Sequence, residues 1–131
     1  ISTGICQAAL DEAVKYAKER KTFGIPIIKH QAVQMILADM AINTEASRQL
    51  VRSGMYALDM NLPTTKIASM AKTFCADSAV KVTTDAVQVL GGYGYSKDYP
   101  VEKMMRDAKI FQIFEGTNQI QRMVIARELA K

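Results

Sequence analysis

The chain contains no Trp, only 3 Pro and a single His. So little proline, together with 49% hydrophobic residues, argues against a disordered chain. A metal site built on a pair of His is excluded because the chain has only one. The two cysteines, Cys6 and Cys75, lack the paired spacing of a zinc site and lie in apolar stretches. They are predicted to be buried free thiols, which favours a reducing compartment.

Long apolar runs are also missing, so no membrane span is expected, and we recognise no signal or transit segment. The 17 basic and 13 acidic residues are mixed along the chain, which does not favour a nucleic-acid patch. A length of 131 residues predicts one domain, over residues 1–131. Because the chain begins with Ile rather than Met, we expect a piece of a larger protein, whose start says nothing about targeting.

Apolar residues recur at three- and four-residue steps in the long stretches of the chain. This spacing predicts helices from about Thr3 to Arg20, His30 to Asn61, Thr64 to Leu90, and Asn118 to about the C-terminus. A shorter helix is predicted to begin near Pro100. In the second helix the apolar stripe is expected to continue through Val51 and Leu58. Since no stretch alternates like a strand, the predicted fold is all-α: an antiparallel up-down-up-down four-helix bundle with a short extra helix.

The segment Gln112–Arg122 places a carboxylate, Glu115, between large apolar residues and Gly116. Apolar surroundings raise the pKa of a carboxyl group, which suits a general base near neutral pH. Thr117 or Asn118 is expected to cap the helix that follows. Helix capping alone also accounts for the segment, because an acidic residue near a helix start interacts well with the helix dipole.

Further segments suggest a ligand. Arg20-Lys21-Thr22-Phe23-Gly24 combines a guanidinium, a hydroxyl and an aromatic ring, which suits a phosphate-bearing ligand with a flat ring. A basic helix end followed by a turn glycine explains it as well. His30 is expected to cap or pack at a helix start. Gln88-Val89-Leu90-Gly91-Gly92 either lets the backbone approach a cofactor or simply stops a helix. Arg106, Asp107 and Arg122 are assigned to ion pairs or the helix surface.

Together these segments resemble the C-terminal domain of the acyl-CoA dehydrogenase family, over nearly the whole chain. The matching elements, in chain order, are Glu19-Arg20-Lys21-Thr22-Phe23-Gly24, His30-Gln31, Leu37-Ala38-Asp39-Met40-Ala41, Asp85-Ala86-Val87-Gln88-Val89-Leu90-Gly91-Gly92, Tyr99-Pro100-Val101-Glu102, Met105-Arg106-Asp107-Ala108-Lys109 and Glu115-Gly116-Thr117. A series of separate motifs in the right order is more specific than any one of them.

The resemblance implies a three-domain FAD enzyme of which this chain is the last domain. It would dehydrogenate an acyl-CoA thioester, with Glu115 removing the α-proton, flavin N5 taking the β-hydride and electron-transfer flavoprotein receiving the electrons. The implied FAD contacts are Arg20, Thr22, Phe23, Gln31, Gln88, Gly91, Gly92, Thr117 and Gln119. Phe114 and Gly116 would line the substrate side. FAD contacts to an adjacent subunit imply a homo-oligomer, usually a tetramer, located in the mitochondrial matrix of a eukaryote or the cytoplasm of a prokaryote.

The chain departs from the family at Phe114, where many relatives carry Tyr. Some branches place the base upstream, and Glu115 argues against those branches in favour of the straight short- and medium-chain or short-branched groups. Two other interpretations remain open: a helical oligomerisation or interaction module without activity of its own, and a relative that resembles acyl-CoA oxidases and passes electrons to oxygen. We expect the isolated domain to be inactive and to bind FAD weakly or not at all.

Overall fold

A computed structural model describes all residues from Ile1 to Lys131. Its helices are α1 (Ser2–Glu19), α2 (Gln31–Asp59), α3 (Thr65–Leu90), α4 (Val101–Ala108) and α5 (Asn118–Leu129). The four longer helices form the antiparallel bundle, and α4 is the short extra helix. The predicted all-α fold class is confirmed. None of the helices is long and apolar enough to cross a membrane.

The central helix of the bundle is α3, which contacts each of the other four. It meets α1 across small side chains, because Ala9 and Ala13 of α1 and Ala79 and Ala86 of α3 are all fully buried. Alanines on both faces let the two backbones approach closely. Larger side chains fill the rest of the core, among them Met40, Val82, Leu90, Val101 and Phe111. Full burial of a side chain the size of Val82 contributes about 1.5–3 kcal/mol. The core therefore lies along α3.

Local signals end the long helices where the sequence predicts. Helix α3 stops at Gly91, whose φ of 63° lies in the region that favours glycine. Helix α2 stops at Asp59, and Asn61 follows in the left-handed conformation (φ 54°) just before Pro63. Pro100 occupies the N-cap position of α4.

Two details differ from the sequence prediction. Lys21–Thr22 (β1) and Ile25–Pro26 (β2) form a small antiparallel hairpin, with Thr22 opposite Ile25. Strands of two residues are too short to show alternation, so the pattern could not predict them. In α2 the buried stripe ends at Ser47, and Val51 and Leu58 are exposed. The C-terminal third of α2 therefore extends past the core that α1 and α3 provide.

Candidate active site and cofactor groove

The Glu115 loop, residues 113–117, connects a short 3-10 helix (Lys109–Gln112) to α5. Phe111 is buried, and its ring centre lies 5.6 Å from that of Phe114. Glu115 has a φ of 54° and Gly116 a φ of 82°, so two consecutive residues are left-handed. A residue with a side chain rarely adopts this conformation, which costs about 1–3 kcal/mol and concentrates at functional sites. The loop thus holds Glu115 in a conformation that needs support from its surroundings.

This domain alone does not bury the carboxylate. Glu115 is exposed, and so are its neighbours Ile113, Phe114 and Gly116. The expectation that apolar neighbours enclose Glu115 is therefore wrong for this chain by itself. The loop lies at the surface of the bundle, and Phe114 packs against Phe111.

Helix α5 begins immediately after the loop. Thr117 is its N-cap residue, and the backbone N–H of Ile120 donates to Thr117 Oγ1 at 3.3 Å. Of the two cap candidates, Thr117 is therefore the cap. Asn118 is not the cap but the first residue of α5, and its side chain is buried (3% exposed). The capping interpretation is confirmed for Thr117 and leaves the role of Glu115 open.

A polar cluster under the loop centres on Asp77 of α3. Asp77 Oδ1 accepts hydrogen bonds from Gln112 Nε2 and Asn118 Nδ2, both at 2.7 Å. Asp77 Oδ2 accepts one from a terminal nitrogen of Arg122 at 2.6 Å. Desolvation raises the pKa of the Asp77 carboxyl, but the hydrogen bonds from Arg122, Gln112 and Asn118 outweigh it and hold that pKa below its ordinary value. The ion pair predicted for Arg122 is thus made with Asp77.

A second candidate region lies where α3 ends and the hairpin begins. Arg20, Thr22, Gly91 and Gly92 line one open groove of about 670 Å³, together with residues such as Tyr93 and Leu90. A Cβ atom built on Gly91 or Gly92 would meet nothing within 4 Å. A ligand can therefore approach the backbone there, beside a guanidinium and a hydroxyl. These features fit a phosphate-bearing cofactor with a flat ring system.

Aromatic rings pack around the Arg20 side chain of the groove. The guanidinium carbon of Arg20 lies 5.6 Å from the centre of the Tyr93 ring, within cation–π range. Tyr93 in turn contacts Tyr16 and Tyr99, with ring centres 6.5 and 6.0 Å away. Burial raises the pKa of the Tyr16 hydroxyl, Arg20 opposes this shift, and the two neighbouring tyrosines add to it. The cluster restricts the direction in which Arg20 can point.

The hairpin presents Phe23 to solvent. Its side chain is 97% exposed and its φ is 51°, again left-handed for a residue with a side chain. His30 packs beneath it edge to face at 6.1 Å, and His30 Nε2 is hydrogen-bonded to Thr22 Oγ1 at 2.8 Å. The packing role expected for His30 is confirmed. An exposed aromatic ring on a strained hairpin tip is available to contact a ligand or another chain.

The structure does not gather all predicted site residues in one place. Gln31 and Gln88 are exposed and lie outside the lining of the groove. The residues Phe114, Glu115, Gly116, Thr117 and Gln119 all belong to the loop region. This region meets α3 at Asp77, whereas the groove begins at Gly91. Fourteen residues of helix at about 1.5 Å each separate these two points, or roughly 20 Å.

Sequence reasoning missed Asp77, Gln112 and the Tyr16–Tyr93–Tyr99 cluster. No sequence signal marked Asp77, because other polar and charged residues, among them Lys72 and Lys81, also lie in the middle of α3. The remaining predicted structural roles are confirmed. Arg106 pairs with Glu102 at 2.9 Å, and Asp107 pairs with Lys103. Both Cys are buried free thiols.

Comparison with known proteins places the chain in a family. Residues 1–130 match the model of the acyl-CoA dehydrogenase C-terminal domain. Cyclohexane-1-carbonyl-CoA dehydrogenase of Geobacter metallireducens is 55% identical over 128 residues, covering 98% of this chain and 34% of that protein. The structure of butyryl-CoA dehydrogenase from Megasphaera elsdenii superposes with a TM-score of 0.97 at 48% identity, over 99% of this chain and 34% of that one.

A further solved structure, from work on the electron transferring flavoprotein of Acidaminococcus fermentans and flavin-based electron bifurcation, contains a chain with a TM-score of 0.97 and 52% identity. The match covers 99% of this chain and 34% of that one. The chain therefore spans about a third of the length of the relatives it matches. This chain belongs to the acyl-CoA dehydrogenase C-terminal domain family.

Proposed function

We propose that the full-length protein is an FAD-dependent acyl-CoA dehydrogenase that converts an acyl-CoA thioester to the trans-2-enoyl-CoA. Family membership supports the reaction class. The observation that carries the residue assignment is the conformation of Glu115, a carboxylate held at a φ of 54° beside Gly116 at 82° in a loop tied to α3. Strain of this kind persists where the surroundings enforce it and function uses it.

In the proposed reaction the carboxylate of Glu115 takes the α-proton of the thioester. When bound, FAD supplies the acceptor, flavin N5, for the hydride that leaves the β-carbon. The substrate thus loses one proton and one hydride and gains the double bond, and the electrons then pass to electron-transfer flavoprotein. An α-proton is weakly acidic, so the carboxylate must be close to it and the charge that develops on the thioester carbonyl must be stabilised.

The backbone of the loop is suited to that stabilisation. The N–H of Glu115 donates to no backbone carbonyl of the chain, so it is available to a thioester oxygen. Gln121 Nε2 donates to the Glu115 carbonyl at 3.1 Å, which fixes the peptide on the other side of the residue. Glu115 would then act twice, as the base and as a hydrogen-bond donor. Closure of the site by the missing domains would exclude water and strengthen both interactions.

The two candidate regions would serve two cofactors. Thr117 and Gln119, beside the base, would contact the FAD at which this subunit reacts. The groove region lies roughly 20 Å away along α3, and would contact the FAD of an adjacent subunit. The residues proposed for this contact are Arg20, Thr22, Gly91 and Gly92, which line the groove, and Phe23, Gln31 and Gln88, which lie outside its lining. This division supports a homo-oligomer, which we propose is a tetramer.

Phe114 and Gly116 would line the substrate side of the base. A Cβ atom at Gly116 would lie 2.8 Å from Gln121 Nε2, so the side chain of Gln121 already fills the space there. Phe114 is partly exposed and offers an apolar surface beside the carboxylate. The related enzyme from Geobacter metallireducens is named for an alicyclic thioester, and the one from Megasphaera elsdenii for a short straight one. We therefore place the substrate among short straight, branched or alicyclic acyl-CoA thioesters.

The test uses the full-length protein with bound FAD under anaerobic conditions. Butyryl-, isobutyryl-, octanoyl- and cyclohexane-1-carbonyl-CoA are added in turn, and flavin absorbance is followed for wild type and Glu115→Gln. We expect bleaching in the wild type and a rate at least about 100-fold lower in Glu115→Gln, since a positioned base contributes on the order of 10²–10⁴.

Glu45→Gln is the matched control for a lost carboxylate. Glu45 accepts hydrogen bonds from Arg48 and Gln49 on the exposed side of α2 and touches neither candidate region. The flavin of the Glu45→Gln protein should bleach at the wild-type rate. Bleaching of Glu115→Gln at the wild-type rate would show that the base is elsewhere. Rapid reoxidation in air without an added acceptor would favour the alternative related to acyl-CoA oxidases.

We further propose that the isolated 131-residue domain is inactive and binds FAD weakly, because Glu115 and the groove are open to solvent. Numerous exposed apolar side chains, such as Met55, Tyr56 and Leu58 on α2, would let it act as an assembly module. Titration of the domain with FAD tests this directly. Micromolar binding would contradict the proposal.

A further inference from the structure

Asp77 is the single point at which both ends of the Glu115 loop are held to the bundle. Gln112 is the last residue before the loop and Asn118 the first after it. Both donate to the same oxygen of Asp77 at 2.7 Å. The three residues lie 35 and 41 positions apart along the chain, so only the folded structure brings them together.

The second carboxylate oxygen ties the loop to the first turn of α5. Arg122 donates to Asp77 Oδ2 at 2.6 Å and to the carbonyl of Asn118 at 3.2 Å. Asn118 is held from two further directions, by Lys72 Nζ at 2.7 Å and by the carbonyl of Thr73 at 3.2 Å. The carboxylate is thus the acceptor for three side chains that flank the loop, and the guanidinium of Arg122 pairs with its charge.

The loop has few constraints of its own. Between residues 113 and 117 the backbone bonds are those from the N–H groups of Ile113 and Phe114 to the carbonyl of Ile110, at 2.9 and 3.0 Å, and that from Gln121 N–H to Thr117. The carbonyl of Glu115 accepts from Gln121 Nε2 at 3.1 Å, but its side chain is exposed and has no hydrogen-bond partner in the chain. An exposed residue in a left-handed conformation needs fixed anchors on both sides to remain there.

We propose that Asp77 is a positioning residue for Glu115: it fixes both ends of residues 113–117 to α3 and thereby sets the location of the carboxylate that takes the α-proton. The proposal rests on the proposed function of Glu115. It predicts that loss of Asp77 slows proton abstraction while the thioester still binds, since Asp77 lies beneath the loop and touches no predicted substrate-lining residue.

The test compares Asp77→Ala, Asp77→Asn and the control Glu45→Gln in the full-length protein with FAD. Glu45 matches Asp77 in accepting from an Arg and a Gln, but both of its partners, Arg48 and Gln49, belong to its own helix α2 and not to the loop. We expect Asp77→Ala to lower the rate of anaerobic flavin reduction about 100-fold, as a displacement of about 1 Å can do. The thioester concentration at half-maximal rate should change little, because the lost interaction acts mainly in the transition state.

Asp77→Asn keeps one oxygen for Gln112 and Asn118 but loses the charge that pairs with Arg122. It should retain the fold and give a rate between those of wild type and Asp77→Ala. It also keeps the test valid if Asp77→Ala does not fold. Glu45→Gln should match wild type. An Asp77→Asn protein with the wild-type rate and wild-type loop exchange would overturn the proposal.

Two further measurements separate positioning from general damage. Hydrogen exchange of the backbone amides of residues 113–117 should accelerate in the Asp77 variants and not in Glu45→Gln, independently of any activity. In a Glu115→Gln background, Asp77→Ala should cause no further loss of flavin reduction, because it acts through the base. A further loss of about 100-fold in that background would refute the inference.

The outcome for Glu115 is distinguishable from that for Asp77. If Glu115→Gln alone reduces flavin normally, the proposed base is wrong, and the exchange measurement still decides whether Asp77 fixes the loop. If Glu115→Gln is inactive and the Asp77 variants are as fast as wild type with unchanged exchange, the base stands and the positioning role is wrong.

Discussion

The loop that follows α3 contains three glycines whose surroundings differ, which allows one prediction to be worked out fully. Gly94 is buried, and a Cβ atom built on it would lie 2.7 Å from the carbonyl oxygen of Val87 and 2.8 Å from Leu90 Cβ. Neither neighbour is the far end of a flexible side chain. The Gly94→Ala substitution therefore forces the short Gly91–Tyr95 helix away from the end of α3.

The expected magnitude follows from that contact. Forcing one extra methyl group into a packed site costs about 1–3 kcal/mol. Gly92 has open space at its Cβ position and no positive φ, so Gly92→Ala should be neutral or stabilise the fold by up to about 1 kcal/mol. Gly91 also has open space, but its φ of 63° and ψ of −140° are accessible mainly to glycine, so Gly91→Ala should cost about 1–3 kcal/mol.

The assay is urea unfolding of the 131-residue chain, followed by circular dichroism at 222 nm. The transition midpoints should fall for Gly94→Ala and Gly91→Ala and stay or rise for Gly92→Ala, with similar slopes for all proteins. Thermal unfolding should follow the same order, with a decrease of about 3–12 °C for Gly94→Ala.

The reasoning would be refuted by a Gly94→Ala protein as stable as Gly92→Ala. That result would mean that the short helix is not packed against Val87 and Leu90 in solution. Equal losses for all three substitutions would instead indicate that helix propensity, not local contact or backbone conformation, determines stability at this end of α3.

Two further predictions concern single side chains. Burial, with a smaller effect of neighbouring Cys75, raises the pKa of the Cys6 thiol to about 11, so the contribution of the thiol to stability is complete below the unfolded value of about 8.5 and is lost as the pH rises towards 11. Between pH 8 and pH 11 the free energy of unfolding, measured in urea, should therefore fall by on the order of 1–3 kcal/mol. The fall should be smaller in Cys6→Ala, and an equal fall in that variant would contradict the assignment. Thr117→Ala should lower stability by about 0.5–1 kcal/mol and Thr117→Ser by much less, because the lost hydrogen bond is the cap of α5; equal losses in the two variants, measured by thermal unfolding, would argue against capping.

Much of the fold is predictable from local sequence signals. Three- and four-residue spacing identifies the helices, and residues such as Gly91 and Pro63 mark where they end, because backbone preference acts over one turn of chain. The same signals fail where tertiary contact decides. Val51 and Leu58 continue the apolar stripe of α2 in the sequence, yet no helix covers them in the bundle. The two-residue strands of the hairpin are too short to produce a period.

In the candidate site, too, some features could be predicted from the sequence and others depend on tertiary contacts. The order of its motifs identified the family, and a carboxylate next to a glycine at a helix start could be recognised as a candidate base from the sequence. The anchoring of the loop by Asp77 could not be recognised from the sequence. The partners of Asp77 lie 35 to 45 residues away, and a lone acidic residue in a helix has no distinguishing pattern.

The sequence by itself determined the helices, their ends and the identity of the candidate residues, because these depend on local backbone preferences and on residue chemistry. Only the tertiary structure decided which of those residues lie together. It separated the groove at Gly91 from the point where the Glu115 loop meets α3 by about half the length of that helix, left the carboxylate exposed and tied its loop to Asp77. The physical reason is that hydrogen bonds and burial depend on distances in space, which local sequence patterns do not encode.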